Sequence, residues 1–198
     1  IPYMDPTEPD AELFSQYPFL MGITCLVCMA MFSILSAVMA SRFVVEEYSG
    51  KRAILLLSYP ISREKVLCSK LVLVFAYTVG AMLLCGAVIQ AMFFLTESLF
   101  PLCSDQLTIE VILQSLGFLL CCSVLSGLLG VVSLWFGFHK KSVSMTIVAS
   151  VVLATIVCQI ISAALTFLPI MGIVFGVTGI FAILAMQNLL RQVNNMEV

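Results

Sequence analysis

Long uncharged stretches alternate with short charged ones along this chain. Leu13 to Ser41, Leu71 to Thr96, Val111 to Phe138 and Ser142 to Leu190 contain no Asp, Glu, Lys or Arg. An α-helix rises about 1.5 Å per residue, so roughly 20 apolar residues cross the hydrocarbon layer of a bilayer. Each of the first three stretches is one tilted crossing. The fourth is about twice the length that one crossing needs, and Pro169 with Gly172 stands near its middle as a turn signal, so it reads as a helical hairpin. The pattern therefore predicts an all-α integral membrane protein with one transmembrane domain over residues 1–198 and spans at about 15–41, 71–96, 111–138, 143–167 and 171–190. A hydrophilic segment, 42–70, separates the first two spans.

Composition supports the same class. The chain is 62% hydrophobic and 10% charged, against about 25% charged residues in soluble domains, so it cannot make a water-soluble surface. Charge then orients the spans. All nine basic residues, Arg42, Lys51, Arg52, Arg63, Lys65, Lys70, Lys140, Lys141 and Arg191, fall on one side, which the positive-inside rule makes cytoplasmic. The other side carries Asp5, Glu8, Asp10, Glu12, Glu97, Asp105 and Glu110 with no basic residue. The amino terminus is expected outside and the carboxyl terminus inside. Nothing near Ile1 resembles a cleavable signal peptide, so an upstream helix, giving a native protein of six spans, is the expectation.

Several chemistries are excluded by what the spans lack. They hold no ionisable carboxylate or histidine, which proton-driven transporters place at membrane depth. His139 is the sole histidine and stands beside Lys140 and Lys141, so neither a serine–histidine nor a paired-aspartate protease site can be assembled. Gly50 and Lys51 are adjacent, but Arg52 follows and Val45 occupies the place of the first glycine of a phosphate-binding loop. No catalytic residue, metal ligand set or cofactor of this chain's own is expected. Cys25, Cys28, Cys85, Cys121, Cys122 and Cys158 lie inside spans as small hydrophobes; only Cys68 and Cys103 lie near water. Gln90, Gln114 and Gln159 are the largest polar side chains within the spans. They could line a pathway, although bonding across helices is the commoner role.

Small residues recur four apart: Ser123 with Gly127, Ser126 with Gly130, Ser133 with Gly137 and Gly172 with Gly176. Such pairs mark faces of close helix approach, within one chain or between two.

The segment 42–70 has a grammar of its own. Glu46, Glu47, Lys51 and Arg52 precede the apolar run Ile54 to Leu57, with a break at Gly50 and a stop at Pro60. Ser62 is the expected N-cap of the following helix, with Ile61 and Val66 as a hydrophobic staple. Basic residues in such a loop attract anionic headgroups in any case, but two ordered arms around a break form an elbow suited to docking a protein.

The wording Glu46-Glu47-Tyr48-Ser49-Gly50-Lys51-Arg52, then Leu55-Leu56-Leu57-Ser58-Tyr59-Pro60-Ile61-Ser62-Arg63, then Lys70, resembles permease subunits of type-2 ATP-binding-cassette (ABC) exporters. About a seventh of the chain carries the match. Lys51 stands where the family often has threonine, and the family's usual first span is absent from the sequence. The resemblance implies a permease half that pairs with a second half as a homo- or heterodimer. Each half is contacted at its elbow by a separate cytoplasmic ATPase that binds ATP and Mg. It implies coupling roles for Glu46, Glu47, Gly50, Arg52, Pro60, Arg63 and Lys70, a bacterial plasma membrane location, and export of a hydrophobic or amphipathic cargo. No nucleic-acid partner is expected, whereas membrane lipids are. The competing class is a non-transporting sensor or immunity protein that uses its acidic outer loops and needs no ATPase.

Overall fold

The computed structural model describes residues 17–45, 63–99, 109–140, 142–164 and 168–194. Within them lie five helices: α1 (Tyr17–Ala40), continued by a π-helical turn (Ser41–Val45), α2 (Arg63–Leu99), α3 (Ile109–His139), α4 (Val143–Ala164) and α5 (Leu168–Asn194). All five are long and apolar enough to cross a membrane, and no strand occurs among the described residues. Hydrocarbon offers no partner for a backbone N–H or C=O, so even β-branched runs such as Val151-Val152 become helical there.

The helix ends differ from the charge-delimited spans in two instructive places. α2 begins at Arg63 and ends at Leu99, overrunning Leu71 and Thr96. A charge ends the apolar run but not the hydrogen-bonding pattern, and α2 starts one residue after the expected cap Ser62, which lies outside the described residues. Pro169 does not make the turn of the hairpin; it sits in the first turn of α5, as does its neighbour Ile170, with Gly172 one turn in. Proline is tolerated there because an N–H in the first helical turn has no intrahelical acceptor to lose.

α3 is the hub, packing against each of the other four helices, most extensively against α1. α3 is the most buried of the five, with 56% of its most apolar 18-residue stretch buried against 22% for α2 and α5. Its small residues explain why. A Cβ at Gly130 would overlap the Ser36 side chain of α1, one at Gly137 would overlap Thr146 of α4, and one at Gly127 would lie 2.6 Å from the Phe75 ring of α2. Three of the four small-residue pairs are thus seams within the chain. The fourth is different: Gly172 and Gly176 have nothing near the position a Cβ would take.

The hydroxyls along these seams turn back into their own helices. Ser33, Ser41, Ser123, Ser126, Ser133 and Ser150 donate to carbonyls three residues earlier, and Thr146 to the carbonyl four earlier. Burial of serine therefore costs no orphaned donor, and the helices approach on small surfaces.

Two apolar clusters fill the bundle. One, in mid-bundle, joins Cys25, Met29, Met82, Leu119, Leu125, Leu129, Ile161 and Val174 from all five helices. The other lies where α1, α3 and α5 end and α2 begins, and joins Ala40, Val44, Leu67, Leu71, Val74, Leu134, Phe138 and Leu189. The latter end also carries Arg42, Lys65, Lys70, His139, Lys140 and Arg191 and is called the basic end below.

Candidate functional site

The elbow enters and leaves the bundle at the basic end. Glu46, Glu47, Gly50, Arg52 and Pro60 lie outside the described residues; its two roots do not. The first root is the π-turn that closes α1. Ser41 Oγ donates to the Val38 carbonyl at 2.8 Å, and Val44 is fully buried in the basic-end cluster, while Arg42 and Phe43 face outward. The second root is the start of α2, which opens at Arg63 and inserts Leu67 and Leu71 into the same cluster. Lys70 Nζ donates to the Phe43 carbonyl at 3.4 Å, so the roots also touch directly. Apolar contacts with Leu134 and Phe138 of α3 and Leu189 of α5 hold both. Movement at either root is felt by the hub helix, because the interior is close-packed.

The three glutamines separate. Gln90 is 3% exposed; its Nε2 donates to the Ser115 carbonyl at 3.3 Å and to Cys25 Sγ at 3.6 Å, and its Oε1 has no partner. It links α2 to α3 and α1. Gln114 and Gln159 are exposed on the outer surface of the bundle and do not join it. The signal that distinguishes Gln90 was present in its register: Thr78, Met82 and Gly86 precede it at four-residue intervals, and all are buried.

Other polar groups fall into minor roles. His139 Nδ1 lies 3.4 Å from Gln192 Nε2, tying the ends of α3 and α5. The Trp135 indole N–H is buried without an acceptor. Cys158 Sγ donates to the Leu26 carbonyl at 3.7 Å, and the described cysteines are free thiols. Among the described residues no group of three or more His, Cys, Asp or Glu is placed to hold a metal. Glu97, whose charge places it at the water boundary, is only 5% exposed, on the inner face of the extended end of α2.

A family profile described as "ABC-2 family transporter protein" matches residues 1–157, a stretch that includes the elbow, both roots and Gln90. The chain is 28% identical over 167 residues to "Uncharacterized protein YcbO" of Bacillus subtilis (strain 168), covering 82% of this chain and 72% of that relative. No solved structure matches.

Proposed function

This chain belongs to the ABC-2 transporter family, and we propose that it is the permease subunit of an ABC exporter. In this reading the basic end faces the cytoplasm of a bacterial cell, and the elbow 42–70 docks on a separate ATPase subunit that binds ATP and Mg. A second permease half completes the path. Glu46, Glu47, Gly50, Arg52, Pro60 and Arg63 act at the ATPase contact, and Lys70 acts at the root beneath it. A hydrophobic or amphipathic cargo moves along surfaces lined by apolar, hydroxyl and amide groups.

One observation carries the reading: both roots of the elbow are seated in a single apolar cluster that includes the hub helix. A push on the elbow then tilts packed helices, whereas a loop tethered only by solvent would absorb it. The charges of the elbow need no catalytic role, because hydrolysis belongs to the partner.

The test is to purify the native chain under mild conditions and identify co-purifying chains by mass spectrometry. An ATPase should be recovered with the wild type and lost with Glu47→Lys or Arg63→Glu, while membrane insertion is unchanged. An intact, folded chain that never brings an ATPase would overturn the assignment in favour of a sensor.

A further inference from the structure

On the outer surface of the bundle an apolar groove of about 230 Å³ runs between α2, α3 and α5, walled by Val72 and Phe75, Leu128 and Val131, and Ile183 and Met186. It is larger than the ~150 Å³ cavity that accommodates a benzene ring. Its lining is wholly apolar, so no polar headgroup or solute fits its depth. One turn beyond Val131 on the same face of α3 stands Trp135, and one turn further His139, the exposed last residue of that helix. On α2, Lys65 lies two turns before Val72 on the groove side and is exposed. A residue-to-residue rise of about 1.5 Å puts Lys65 some 15 Å from Phe75 along the helix, a span that matches an acyl chain below its headgroup.

We propose that this groove seats an acyl chain of an anionic phospholipid from the leaflet at the basic end, with its headgroup phosphate held by Lys65. The charge of that end selects the headgroup. Arg42, Lys65, Lys70, Lys140 and Arg191 lie at this end of the bundle. The balance is positive, and each basic side chain near an anionic surface adds to the attraction. The site does not depend on the permease reading, because it rests on groove shape and charge alone.

Trp135 is the sole tryptophan of the sequence and stands one turn beyond the groove wall at Val131, so its fluorescence reports on lipid near the groove mouth. The full chain is reconstituted in vesicles of unlabelled phosphatidylcholine containing graded fractions of brominated phosphatidylglycerol or brominated phosphatidylcholine. Half-quenching should need about fivefold less of the anionic lipid than of the zwitterionic one. Lys65→Glu should erase that preference. Val72→Phe, at an exposed lining position, should weaken quenching by both lipids by filling the groove. Soluble glycerol phosphate should not compete. Equal quenching by the two lipids in the wild type overturns the proposal, as does a preference untouched by Lys65→Glu, or an absence of quenching because a second copy or another helix covers the groove.

Discussion

Gly130 of α3 and Gly172 of α5 carry the same signature, a small residue followed or preceded by another four positions away, yet they occupy opposite environments. Gly130 lies against Ser36 with no room for a methyl group, and Gly172 faces open space. A small-residue pair permits close approach without saying to what. What decides is the neighbourhood in the fold: α3 packs against all four other helices, and α5 is a peripheral helix with one covered face, marked by Ala182, Ala185 and Leu189.

The sharpest way to break this contrast is to enlarge both glycines. Gly130→Leu, which must displace Ser36, should cost about 3 kcal/mol or more and lower the apparent melting temperature of the detergent-solubilised chain. Gly172→Leu should stay within about 0.5 kcal/mol in the same assay. Equal losses would mean that α5 packs on something in the isolated chain.

A smaller effect separates the glutamines. Gln90→Ala removes interhelical donor contacts and leaves a void, for an expected loss of about 1–2 kcal/mol. Gln159→Ala, on the exposed face of α4, should be near neutral. Smallest of all is Lys70→Ala. Its contact with the Phe43 carbonyl is long, so stability should fall by about 0.5 kcal/mol. Stimulation of an ATPase that co-purifies with the chain should fall much further if that root transmits motion. Thermal unfolding alongside ATPase assays on the same preparations would separate the two effects.

The helices themselves were legible because uncharged runs of this length have one physical solution in a bilayer. Their ends were less so. Hydrophobicity ends at the water boundary while backbone bonding continues, as the extension of α2 to Arg63 and Leu99 shows. Buried faces were also hidden, since helices that are apolar all round carry no polar stripe. The usable signal was size: Thr146, Ser150 and Ala154 trace the inner face of α4, as Thr78 and Gly86 trace that of α2 around Gln90. The roles proposed for the elbow rest on a family likeness alone, because Glu46, Glu47 and their neighbours are ordinary charges whose meaning would depend on a partner. Its roots were not readable at all. Val44 and Leu67 gain significance only when they meet Leu134 and Leu189 in one cluster.

The serines of the α1–α3 seam carry a mechanical consequence. Ser33, Ser123, Ser126 and Ser133 spend their hydroxyls within their own helices, so sliding α1 along α3 would rupture none of these bonds. A cross-helix hydrogen bond in a membrane holds by about 0.6 kcal/mol, and each one added here would act as a detent. The joint is held instead by shape alone: by the apolar packing that Cys25, Leu26 and Met29 share with Leu119, Leu125 and Leu129, and by the fit of Gly130 against Ser36.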